Sequence, residues 1–118
     1  MSNVEIKLPD FDRLFELSNT IRDLSLEKLT VENEISMLEA QAIEHGIRNI
    51  KIGGKTASMD YLKSTVKYSG VNGEILPLRK KLVEITVDLD KYKNYMQIFR
   101  DMISIYQTES ANKRASLL

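Results

Sequence analysis

The chain has no cysteine, no tryptophan, one histidine and only two prolines and five glycines among its 118 residues. Without cysteine there is no disulfide framework, no thiolate metal site and no cysteine nucleophile. The single imidazole, His45, has no spaced partner with which to form a metal site. No apolar run approaches the ~18–20 residues needed to cross a bilayer. Residues 1–10 lack the apolar core of a secretion signal. These absences predict a cytoplasmic protein with no membrane partner, no metal and no cofactor. Scarce proline and glycine also leave room for long uninterrupted helices.

What is present is a hydrophobic repeat. In the C-terminal half Ile75, Leu78, Leu82, Ile85, Leu89, Tyr92, Met96, Phe99, Ile103 and Tyr106 follow one another in steps of three and four. Such spacing keeps one seam of a helix turned toward a partner helix. Gly73 precedes the seam, and Pro77 falls in the first turn, where its missing N–H is tolerated. The N-terminal half repeats the pattern through Leu14, Leu17, Ile21, Leu24, Lys28, Val31, Ile35, Leu38 and Ala42. Pro9 and Asp10 supply its start and Gly46 its stop, with His45 in the last turn, where a partly charged imidazole suits the helix dipole. Lys28 interrupts the seam, and its long stem is expected to carry the ammonium out to water.

The predicted fold is all-α: one domain over 1–118, an antiparallel helical hairpin of coiled-coil type, assembling into a multi-helix bundle. A helix over about 10–46 is followed by a connector over 47–73, a helix over about 74–110 and a frayed tail over 111–118. Within the connector Ile47–Ile52 is β-prone but short, and Gly53-Gly54 is expected to break any regular element. Ser58–Lys67 reads as a short helix, with Ser58 or Thr56 as its cap and Gly70 as its stop.

One end of this hairpin is apolar well beyond its seam. Tyr95, Ile98, Met102 and Ile105 lie outside the seam that holds Phe99 and Tyr106, and Leu8, Phe11 and Phe15 sit at the opposite terminus. A two-helix hairpin covers only one side of each helix, so these residues predict a homo-oligomer.

The equal number of acidic and basic residues, 17 of each, conceals a separation. Residues 1–47 carry a net charge of −6, residues 48–81 carry +6, and residues 82–118 balance. The basic segment contains Arg48, Lys51, Lys55, Lys63, Lys67, Arg79, Lys80 and Lys81. Such a cluster predicts recognition of an acidic protein or of the acidic helix of another copy. With Tyr61 and Tyr68 nearby, stacking on single-stranded nucleic acid is the alternative. A holdase chaperone, with Ile50, Ile52, Met59 and Leu62 at a mobile tip, is a third.

Catalytic patterns fail on inspection. Gly53-Gly54-Lys55-Thr56 matches only the end of a phosphate-binding loop, because Asn49 stands where the leading glycine is required. Glu32 and Glu34 are two apart and do not share a helix face. The sequence predicts a non-enzymatic protein.

Taken together, the two long helices, the Gly54-Lys55-Thr56 connector and the polar ending Tyr106–Arg114 resemble small helical accessory proteins of tailed phages and mobile elements. That resemblance implies a non-enzymatic accessory role, in the host cytoplasm if phage-encoded, with some such proteins encoded beside replication or recombination genes. The outline also resembles prefoldin, in which two antiparallel coiled-coil helices flank a β-hairpin region.

Overall fold

The computed structural model describes residues 10–117. Helix α1 spans Phe11–Asn49, strands β1 and β2 are Lys51–Ile52 and Lys55–Thr56, α2 is Met59–Leu62, and α3 is Ile75–Ser116. A π-helical stretch, Lys63–Lys67, continues directly from α2. The chain divides into two compact units. Residues 25–87 form one. The described part of the other is residues 10–24 and 88–117. Leu8 and Pro9 lie outside the described residues.

The seams are where the spacing puts them. Every named seam position of α1 and α3 is buried or half-buried, while most residues between them are exposed. Lys28 is half-buried, and its ammonium lies 3.9 Å from Glu32 one turn on. Asp10 caps α1: its carboxylate accepts the Asp12 N–H at 2.9 Å and its carbonyl accepts the Leu14 N–H at 3.1 Å.

In the unit of residues 25–87, α1 and α3 run antiparallel. Later α1 residues meet earlier α3 residues: Glu27 pairs with Lys81 at 3.5 Å and Glu39 with Arg79 at 3.8 Å. The core is Val31, Ile35, Ala42, Ala57, Leu62, Ile75 and Ile85, with Leu62 and Ile75 fully sequestered. Burying a side chain of this size contributes about 1.5–3 kcal/mol before ordering costs.

Gly46 does not stop α1. It falls four residues after Ala42, at the next seam position, and is itself buried. A Cβ there would stand 2.5 Å from Leu62 Cδ2, so glycine leaves room for the connector to plug the end of the core. The helix closes instead at Asn49, whose Nδ2 donates back to the His45 carbonyl at 3.0 Å.

The glycine pair likewise forms structure rather than breaking it. Lys51 pairs with Thr56 and Ile52 with Lys55 in an antiparallel ribbon. Gly53 and Gly54, at φ +60° and +78°, are the two central turn residues. Two successive left-handed residues make the tight turn whose twist matches that of a β-ribbon, which is why both are glycine.

Ser58 caps α2, its Oγ accepting the Tyr61 N–H at 3.2 Å. The hydroxyls of Ser64 and Thr65 then both donate to the Tyr61 carbonyl, at 2.9 and 2.7 Å. Side-chain donors on one carbonyl compete with the regular backbone ladder and favour the widened π turn found here. Gly70, at φ +82°, ends the segment and donates its N–H to Val66 O at 2.7 Å.

Glu74 organises the entry to α3. Its Oε2 accepts the Asn72 N–H at 2.7 Å. Its own amide and the Asn72 amide, with a lesser contribution from the Val71 amide, hold the carboxyl below its ordinary value of 4.5 against the opposing effect of desolvation. A Cβ on Gly70 would lie 2.6 Å from the Glu74 carboxyl carbon, so the glycine also clears space for this contact. At its far end α3 does not fray at residue 111. Ser110, four beyond Tyr106, is still half-buried, and the helix continues to Ser116.

Because the folded-state pKa of Glu74 is depressed, its contribution to stability is full above the unfolded value near 4.5 and disappears as pH falls through the folded value. Glu74→Gln should therefore be less stable than the parent at pH 7, and the gap should narrow below about pH 4.5. Urea unfolding at pH 7 and pH 3 measures both; a gap that widens in acid would contradict the assignment.

Candidate interaction surfaces

The eight cations expected to form a basic recognition surface divide into two groups. Arg48 pairs with Glu44 at 2.7 Å, Lys81 with Glu27, Lys67 with Glu39 at 3.8 Å, and Arg79 with the same Glu39 carboxylate. These four are turned onto the acidic helix α1 of their own chain. Lys51, Lys55, Lys63 and Lys80 are exposed and form no ion pair among the described residues. Lys51 and Lys55 stand on the β-ribbon, Lys63 opens the π turn, and Lys80 lies on the first turns of α3.

Arg79 is tied into the fold of its own chain. Its Nε donates to the Tyr68 carbonyl at 2.7 Å, and an Nη donates to the Lys67 carbonyl at 3.4 Å. The guanidinium lies 4.4 Å from the centre of the Tyr68 ring and 3.8 Å from the Glu39 carboxylate. One planar fork thus ties the last turn before Gly70 to both α1 and α3, a geometry a lysine cannot reproduce. An open cleft beside it, lined by Ser36, Glu39, Ala40, Ile43 and Lys67, has its charged groups already engaged with each other.

Of the apolar residues suggested for a mobile tip, Ile52 and Met59 are exposed. Ile50 is half-buried, and Leu62 is sealed in the core, so it offers nothing to a client chain.

The second surface belongs to the unit of residues 10–24 and 88–117. Phe11 and Phe15 are exposed on α1, Phe15 by 70%. On α3, Tyr95, Ile98, Met102 and Ile105 are all exposed, Ile98 by 54%. Phe99 and Tyr106 are half-buried, as seam residues. Only Leu17 and Leu89 are buried among this unit's described residues. Tyr95 packs edge-on against Tyr92 at 6.1 Å, and the Lys91 ammonium lies 5.7 and 5.9 Å from the two ring centres.

Sequence reasoning missed Glu39, the carboxylate that receives both Lys67 and Arg79. The available signal was its place next to the seam residue Leu38, where a flanking charge faces the neighbouring helix. It also passed over Leu26, Leu29 and Met37 on α1 and Leu76, Val83 and Val87 on α3, all exposed. Among the described residues, no group of three or more His, Asp or Glu side chains is placed to hold a metal ion, and no helix is long and apolar enough to cross a membrane. No family model, curated protein or solved structure matches the chain.

Arg79→Ala should lower stability by about 1–3 kcal/mol, because it removes the hydrogen bonds to two carbonyl acceptors and leaves Glu39 with Lys67 alone. Lys63→Glu should change stability by less than about 0.5 kcal/mol. Lys67→Glu should fall between them, since it sets a second carboxylate against Glu39. Denaturant midpoints order the three, and equal losses for Lys63→Glu and Arg79→Ala would refute the division.

Proposed function

We propose that this chain is a non-enzymatic helical interaction or scaffold protein of the cytoplasm, a coiled-coil module that self-associates through the apolar surface of residues 10–24 and 88–117. On this reading Lys51, Lys55, Lys63 and Lys80 are left to contact an acidic protein partner. It serves the kind of accessory role played by the small phage proteins it resembles.

The observation that carries this reading is the exposed apolar set Tyr95, Ile98, Met102 and Ile105 beside a seam that is itself only half-covered. Large contiguous apolar surface of this kind marks interfaces rather than free protein surface. The charge pattern favours a protein over a nucleic acid as the second partner. Half of the basic cluster is already neutralised by Glu27, Glu39 and Glu44, which lowers its capacity to displace phosphate counterions.

Sedimentation and light scattering should show a mass above 13.5 kDa that falls on dilution. Phe99→Asp should abolish association or unfold the chain, because it places an unpaired charge in the seam. A compact monomer at high micromolar concentration would overturn the proposal. Retention on single-stranded DNA or RNA that weakens steeply with salt would move the basic cluster to nucleic-acid recognition.

A further inference from the structure

The exposed stripe on α3 has a spacing of its own. Tyr95, Ile98, Met102 and Ile105 follow in steps of three, four and three, the rhythm of a helix-pairing seam. It lies outside the seam through Met96, Phe99 and Ile103, so this stretch of α3 carries two adjacent seams. A helix with two seams needs two neighbouring helices.

The ends of the stripe indicate what the second neighbour is. One further step of four reaches Lys91 before Tyr95 and Glu109 after Ile105. Both side chains are exposed, and neither forms an ion pair among the described residues. The sequence of steps is therefore symmetric about Arg100, with opposite charges at its two ends.

We infer that the stripe docks on the same stripe of a second copy of this chain, antiparallel and two-fold symmetric, with Lys91 of each copy facing Glu109 of the other. In that register Tyr95 meets Ile105 of the second copy, and Ile98 meets Met102. A parallel pairing would set Lys91 against Lys91 and Glu109 against Glu109. Charge complementarity thus selects both the occupant and its direction, as flanking charges do in paired helices. The inference rests on the proposed self-association and adds its interface, direction and register.

The absence of cysteine gives a clean background for the test. Under mild oxidation, Tyr95→Cys with Ile105→Cys should give a covalent dimer on a non-reducing gel. Tyr95→Cys alone should not, because its counterpart lies ten residues, or roughly 15 Å, along the helices. Lys91→Glu should weaken association about tenfold by creating two like-charge contacts per dimer, and adding Glu109→Lys should restore it. These surface changes leave the seam intact. An oligomer in which Tyr95→Cys cross-links alone, or in which the charge swap fails to restore association, overturns the antiparallel register and leaves self-association standing. A parent chain that stays monomeric overturns both.

Discussion

A seam of apolar side chains three and four residues apart has no stable existence in water by itself, and both units of this chain are answers to that constraint. Residues 25–87 answer it internally. The connector returns Leu62 and Ala57 to the core, Gly46 makes room for Leu62, and Ile75 is sealed at the start of α3. Seam residues in the other unit are covered less. Met96, Phe99, Ile103 and Tyr106 are only half-buried, and an additional apolar stripe lies exposed beside them. Hydrophobic burial is the largest favourable contribution to folding, at about 25 cal/mol per Å² removed from water. Incomplete burial in one unit is therefore the strongest physical argument for association there.

Electrostatics has a different role in each unit. Between residues 25 and 87 the acidic face of α1 gathers its own chain's cations, with Glu39 receiving two of them. Exposed ion pairs contribute at most about 1 kcal/mol each, so these do not hold the unit together. They orient Arg79, whose hydrogen bonds to the Lys67 and Tyr68 carbonyls anchor the end of the π turn. Along α3 from residue 88 onward no charged side chain forms an ion pair among the described residues. Charges that form no ion pair beside apolar surface are available to select a partner.

The seams were legible in the sequence because side-chain periodicity alone determines them, and each named position from Leu14 to Tyr106 is buried or half-buried. Helix ends were less legible. Gly46 carries a stop signal by propensity, but packing against Leu62 makes a small residue necessary inside the helix, and tertiary contact overrides propensity. The tail from Ala111 onward is small and polar, yet it follows a helix already long enough that each added residue needs no new nucleation. The β-ribbon was hidden because strands of two residues have no detectable alternation. Its signals were the short β-prone run Ile47–Ile52 and the glycine pair itself, which marks a turn as readily as a break. Of the basic cluster, sequence identified the members but not their allegiance, since Glu39 and Arg79 are far apart along the chain and meet only through the fold.

In the proposed antiparallel pairing the two charged ends of the α3 stripe would do more than set a direction. An apolar seam with a seven-residue rhythm is free to slide by seven. Shifting an antiparallel pair one heptad one way brings Glu84 against Glu109 of the second copy and Lys91 against Met102. Shifting it the other way brings Glu109 against Ile98. Each slipped pairing desolvates a charge against hydrocarbon or sets like charges together, and burying an unpaired charge costs more than an exposed pair returns. In the proposed pairing Lys91 and Glu109 would therefore act less as attractive contacts than as stops, penalising the registers one heptad to either side of the one in which they meet each other.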